Sequence, residues 1–90
     1  MKFEWDARKN IENAIKHGVK FEDAQKAFLD KRRKIIKDEK HSKGEARYFC
    51  YGKVEDEIVT VRFTIRKDII RIFGAGLWRK GRKIYHGKDS

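Results

Sequence analysis

The spacing of apolar and polar positions changes several times along the chain, and each change marks an element. Met1 to Trp5 reads as a short strand with Phe3 and Trp5 on one face. Asp6 is placed to cap a helix, because its carboxylate can accept from the free N–H groups of a first turn. Ala7, Ile11, Ala14 and Ile15 then recur at helical spacing. Lys16 and His17 suit the negative end of that helix dipole, and Gly18 suits a left-handed stop. Phe21, Ala24, Ala27 and Phe28 mark a second short helical face ending near Leu29 and Asp30. Its start is weakly specified. Lys20 stands in the capping position without an acceptor, and Glu22 and Asp23 compensate partly through the dipole.

From Lys34 onward the period is that of strands. Lys34–Lys37 predicts a brief one, with Ile35 and Ile36 as its apolar content. Asp38 to Glu45 reads as a polar loop closed by Gly44. Three β-rich runs follow, Arg47–Val54, Glu57–Arg66 and Ile69–Ala75. Their connections, Glu55-Asp56 and Lys67-Asp68, are short enough to predict an antiparallel meander. In the middle run Val59, Val61, Phe63 and Ile65 share one face, and Ile58, Thr60, Arg62 and Thr64 share the other. One face should pack under the helices while the other is more polar. Residues 77–85 predict a last helical turn or two despite Gly81. Strand, two helices and then a sheet is an α+β plan. With no proline, repeat or Ser/Gly-rich linker, residues 1–90 read as a single domain.

Composition adds a partner. The net charge is +10, and it is unevenly spread. Residues 1–30 balance at six cations and six acids, whereas residues 31–53 hold nine against three and residues 69–90 six against one. Two basic blocks around a near-neutral middle suggest a surface for a polyanion. Cys50 is the only cysteine, which excludes an internal disulfide and a multi-cysteine zinc site and suits a reducing cytosol. The N-terminal segment is charged where a signal peptide needs an apolar run, so a cytoplasmic location is expected. No stretch approaches the roughly 18 apolar residues of a membrane span, and no membrane partner is expected.

Several motifs together resemble a known family. Phe3-Glu4-Trp5-Asp6, then Lys16-His17-Gly18-Val19 and Phe21-Glu22, then Ala24, Phe28 and Asp30, are similar to the opening of the BrnT toxin family. The loop Asp38, His41-Ser42, Gly44-Glu45 and Arg47 resembles its central motif, with Gly52 following. Thr64, Arg66, Ile70-Arg71-Ile72 and Ala75 resemble its final strands. The resemblance runs from residue 3 to about residue 85. It implies a compact RelE-like fold, with an N-terminal strand and two helices on an antiparallel sheet and a short C-terminal helix. It also implies cleavage of RNA (mRNA or rRNA, on or off the ribosome) that inhibits translation. A cognate DNA-binding antitoxin would neutralise the toxin, and operator DNA would be reached only through that antitoxin. One position departs: many members carry Arg where this chain has Gly76, and Arg79 is the candidate to take over its phosphate contact.

Metal-free cleavage of RNA needs an acceptor for the 2′-hydroxyl proton, cations for the crowded phosphate and a donor for the leaving oxygen. The resemblance implies that a cluster of Lys and Arg, with an occasional Tyr or His, supplies them without cofactor or metal. Arg66 and Arg71 lead the catalytic candidates, since both fit the family pattern and lie near one hairpin. The competing reading makes them strand-end cations paired with Asp68 or the acidic 55–57 turn. Lys16 is the next candidate, beside His17, with a helix-dipole role as the plain alternative. His41 supplies an imidazole, a group suited to proton transfer, but the favoured reading is that Asp38, His41 and Glu45 fold a loop, with a pair to Arg47. Trp78 and Tyr85 interleave with Arg79, Lys80, Arg82 and Lys83, a composition suited to base stacking and phosphate contact. Arg62 joins Trp78, Lys80, Arg82 and Lys83 as an RNA-binding candidate. Trp5 and Cys50 read as core. The alternative function is a non-catalytic nucleic-acid-binding or repressor-complex protein, told apart by whether the chain alone cuts RNA.

Overall fold

Two-residue connections force consecutive strands side by side, and the computed structural model, which describes residues 1–87, has them so. β3 (Arg47–Val54), β4 (Glu57–Arg66) and β5 (Ile69–Gly76) form the antiparallel meander. The last three residues of the 1–90 span, and of the basic block that ends it, lie outside the described residues. β2 (Lys34–Lys37) pairs antiparallel with β3. β1 (Lys2–Trp5) corrects the expectation of a purely antiparallel sheet. It runs parallel to β5, with Lys2 opposite Ile69 and Trp5 opposite Ile72. The order is β1-β5-β4-β3-β2. A parallel pair needs a long crossover, and the helices and three intervening strands provide one.

α1 (Ala7–His17) starts as expected at Asp6, whose Oδ1 accepts from the Arg8 and Lys9 N–H groups at 2.8 and 3.1 Å. It stops at Gly18, which has φ 71°. Its apolar stripe, however, does not face the core. Ile11 and Ile15 are 62% and 82% exposed, and the buried residue of the helix is Asn13. The pairing of β1 ends at Trp5, and Asn13 takes over the edge of β5 beyond it. Its Nδ2 donates to the Ala75 carbonyl at 2.9 Å, and its Oδ1 accepts from the Ala75 N–H at 3.2 Å. A buried strand edge without those partners would leave two backbone groups unsatisfied, so the polar residue is the one turned inward.

α2 (Phe21–Ala24) tightens into a 3-10 turn over Gln25–Leu29. Lys20 makes no side-chain cap, and Asn10 Oδ1 accepts from the Phe21 N–H at 2.8 Å instead. Phe21, Ala24, Ala27 and Phe28 bury as their spacing predicts, against Val59, Val61 and Phe63 of β4. The Phe28 ring centre lies 5.0 Å from that of Phe63 and 5.3 Å from that of Phe3. Trp5 meets Phe21 edge-on, as a core residue should. Ile65 keeps the parity of Phe63 but is half exposed.

A bulge in β5 shapes the opposite face. Arg62 lies opposite Gly74 and Phe63 opposite Ile72, so Phe73 is the extra residue. Regular alternation would put Ile72 and Ala75 on opposite faces. The added residue lets both enter the core, at 1% and 0% exposure.

α3 (Arg79–His86) packs on β3 and β4 against that opposite face, which is therefore less polar than its alternation suggests. Gly81 is what admits it. A Cβ there would stand 2.0 Å from Thr60 Oγ1, so the residue that weakens the helix also lets it lie on the sheet. The far end is tied down by Tyr85, whose hydroxyl donates to Asp30 Oδ2 at 2.6 Å, and by Lys34 Nζ, which donates to the Ile84 carbonyl at 2.8 Å.

Candidate nucleic-acid interface

Strand register decides which side chains share this second face, since paired residues point to the same side. Arg47 lies opposite Thr64, Phe49 opposite Arg62 and Tyr51 opposite Thr60. Arg71 lies opposite Thr64, and Arg66 opposite Ile69. Arg47, Arg62, Arg66 and Arg71 therefore lie on one face, and α3 covers the Tyr51–Thr60 end of it.

The four arginines divide into two kinds. The guanidinium carbons of Arg47 and Arg62 sit 4.7 and 5.1 Å from the centre of the Phe73 ring that the bulge places there. Neither makes a salt bridge among the described residues. An aromatic face attracts each cation, but two like charges on one ring repel, and an anion between them would remove that repulsion. Arg66 and Arg71 have carboxylate partners. Arg66 grips Glu45 with two bonds, of 2.7 and 3.2 Å, and Arg71 Nη1 donates to Glu4 at 3.2 Å. These partners replace the expected ones, Asp68 and the 55–57 turn, because register brings Glu4 beside Arg71 and the 38–45 loop folds back over β4. Glu45 is thus engaged by Arg66 and not by Arg47. Its carboxyl is held below the ordinary range, first by the Arg66 hydrogen bond.

Lys16 and His17 reach this face from the end of α1. With Lys9, Glu12, Arg62, Phe73 and Trp78 they line a cleft of about 250 Å³, in which the cations outnumber the one carboxylate. His17 meets the Trp78 ring edge-on at 5.2 Å. The indole lies where a side chain at position 76 would begin, since a Cβ on Gly76 would come 2.5–2.7 Å from three of its carbons. The space beside Gly76, where the resemblance implies an Arg, is therefore filled by an aromatic plate. Arg79 opens α3, is exposed and lines neither this cleft nor the neighbouring aromatic pocket.

At the other end of the strip, Asp38 holds His41. Its Oδ2 is 2.9 Å from His41 Nδ1, and its Oδ1 accepts from the His41 N–H at 3.3 Å. Asp38 is 7% exposed, while the His41 side chain is 53% exposed. Burial raises the Asp38 carboxyl, but the hydrogen bonds and charge of His41, with the charge of Arg62, outweigh it and leave the carboxyl below its ordinary value. The loop-folding role is also present: Ser42 Oγ donates to the Asp38 carbonyl and accepts from the Arg47 N–H. Among the described residues no group of three or more His, Cys, Asp or Glu is gathered as metal ligands.

The cations of α3 do not act as one cluster. Lys80 lines an aromatic pocket on the sheet face, whereas Arg82 turns to the Asp56–Glu57 end of the hairpin and donates to the Leu77 carbonyl at 3.3 Å. Lys83 is exposed. Tyr85 is engaged by Asp30 and anchors the helix. Cys50 is buried, which pushes its thiol up to about 12 and leaves it a core residue. Among the described residues no helix is long and apolar enough to cross a membrane. Arg47 and Phe73 were not legible as site residues, although Arg47 shares the strand parity of Phe49 and Tyr51 opposite Arg62 and Thr60.

A cationic sheet face with aromatic plates on a small α+β scaffold has the chemistry that suits a polyanion. Residues 5–81 match the family described as the ribonuclease toxin BrnT of type II toxin–antitoxin systems, and the chain belongs to that family. Membership brings a ribonuclease activity on RNA and an antitoxin protein as partner. A comparison with curated proteins finds no match.

Proposed function

We propose that this chain is a metal-independent endoribonuclease with a RelE-like arrangement of its site, which cuts mRNA or rRNA and thereby inhibits translation. Its antitoxin neutralises it, binds operator DNA and represses the shared promoter together with it. The observation that carries the reading is the pair Arg47 and Arg62 over Phe73, bordered by Lys16 on one side and the Asp38–His41 pair on the other. The scissile phosphate sits between the two guanidiniums, whose fixed forks match its oxygens as charge builds there. With Nδ1–H donated to Asp38, the free Nε2 of His41 accepts the 2′-hydroxyl proton. The O2′–P bond forms as the P–O5′ bond breaks, and Lys16 protonates the departing O5′. The products are a 2′,3′-cyclic phosphate and a 5′-hydroxyl. Arg66, Arg71 and Arg79 act as outer phosphate contacts, with Arg66 and Arg71 releasing their carboxylates to do so. Trp78, Lys80 and Lys83 guide the strand, and Arg82 contributes only at its margin.

Cleavage of RNA by the purified chain in excess EDTA tests this directly. The expected result is undiminished cutting, cyclic-phosphate ends and resistance of a substrate carrying a single 2′-deoxy sugar at the cut site. Cutting that requires an added divalent ion, or that ignores the missing 2′-hydroxyl, would overturn the mechanism. RNA binding without any cutting would favour the non-catalytic alternative.

A further inference from the structure

Beside the cationic cleft, a second pocket of about 320 Å³ opens between α3 and the sheet. Its walls are Phe49, Tyr51 and Trp78, its floor is Thr60, and Lys80 and Gly81 close the helix side. Phe49 and Tyr51 lie nearly parallel, 26° apart with centres 5.8 Å apart. Thr60 is 3% exposed, and its Oγ1 has no hydrogen-bond partner among the described residues. Three aromatic walls with the Lys80 ammonium at their edge fit a flat heterocycle with a hydrogen-bonding edge better than an aliphatic chain.

Trp78 settles what the heterocycle is attached to. The same indole walls both this pocket and the cleft of Lys9, Lys16, His17 and Arg62. One side of the plate is aromatic, and on the other, one ring away, Lys9, Lys16 and Arg62 outnumber Glu12. A nucleotide has the matching division, a planar base joined through one sugar to a phosphate. We propose that the Phe49–Tyr51–Trp78 pocket takes one unstacked nucleobase, next to the phosphate held by Arg62 and Lys16, and so sets base preference at the cut. This rests on reading the face as the RNA site. Stacking alone accepts any base, so preference arises at the helix side of the pocket, where the base edge meets Lys80, the Thr60 hydroxyl being covered by Gly81.

The test is an NMR titration of the intact protein with each of the four nucleoside 5′-monophosphates, using ribose 5-phosphate as a base-free control. The nucleotides are expected to shift Phe49, Tyr51 and the Trp78 indole N–H saturably, with different affinities for different bases. Ribose 5-phosphate should shift only the Lys16 and Arg62 side. Phe49→Ala should weaken nucleotide binding about tenfold, toward the control, with the fold unchanged in the same spectra. The proposal is overturned if the control moves the aromatic signals as the nucleotides do, or if no nucleotide moves them. Because the titration reads occupancy and not cutting, it can fail while RNA is still cleaved, and it can succeed in a protein that cleaves nothing.

Discussion

Arg62 and Arg66 sit four residues apart on the same strand and the same face, yet their surroundings give them different work. Arg66 has its charge met by Glu45 through two bonds, whereas Arg62 shares an aromatic ring with another cation. A phosphate gains most where the positive charge is not already answered. Lysine retains the charge but loses both the flat stack and the two-point fork. Arg62→Lys is therefore expected to remain folded and cut RNA about 100-fold more slowly, while Arg66→Lys loses about tenfold or less. Single-turnover rates on one RNA check the order. Equal rates for the two variants would move the reacting phosphate away from Phe73. Arg62 stands among the RNA-binding candidates of the sequence, which does not set it above Arg66. Its rank above Arg66 depends on the Phe73 bulge and on the contact between Glu45 and Arg66, neither of which leaves a local signal.

At the level of elements, strand limits were legible because short turns and alternating residues fix them together. The sense of β1 and the inward face of α1 were not. Both depend on the edge of β5, where a parallel strand and then Asn13 complete the pairing. Local spacing favours burying Ile11 and Ile15, but two backbone groups in need of partners decide against it. The β4–β5 turn shows a cost of the same kind. Lys67 and Asp68 have φ of 51° and 65°, so both central positions are left-handed without a glycine. Asn-Gly at these two positions should stabilise the protein by about 1 kcal/mol, read as a higher denaturant midpoint, because that pair suits a turn of this hand. A lower midpoint would show that Lys67 or Asp68 makes a contact that outweighs its backbone strain.

α3 carries an acid-sensitive anchor. Burial raises the Asp30 carboxyl, but the Tyr85 hydroxyl and the Arg32 and Lys53 N–H groups outweigh it and hold it below its ordinary value of 3.8. A depressed carboxylate adds stability above its unfolded value and loses it as pH falls through the lower folded one. The anchor should thus hold at pH 5 and fail only below about 3.8. Tyr85→Phe removes one donor, so the failure should begin at higher pH, with a loss of about 1 kcal/mol at neutrality. Trp78 emission, followed in a Trp5→Phe background, reports the docking of α3. Identical acid profiles with and without the Tyr85 hydroxyl would show that Asp30 does not hold the helix.

Across the whole molecule, strand order brings part of each basic block of the sequence, Arg47 from one and Arg71 and Lys80 from the other, to one face. Residues 31–53 supply β2, its loop and β3, while the later block supplies β5 and α3, and β4 stands between them. α3 then packs back over β3 and β4, which brings Lys80 to the same face as Arg47 and Arg62. Arg82 turns away to the acidic hairpin end, so proximity in sequence does not make the α3 cations equivalent. Counterion release makes this measurable. For single-stranded RNA, log affinity should fall with log salt by about 0.7 for each phosphate neutralised. If one phosphate lies between Arg62 and Arg47, Arg66, Arg71 and Arg79 each meet an outer one and Lys80 meets another, five phosphates give a slope of about −3.5, to within about one unit. Lys80→Ala should make it shallower by about 0.7, whereas Arg82→Ala should leave it nearly unchanged. Equal changes in the two variants would mean that the strand crosses the outer side of α3, and that the sheet face is not its path.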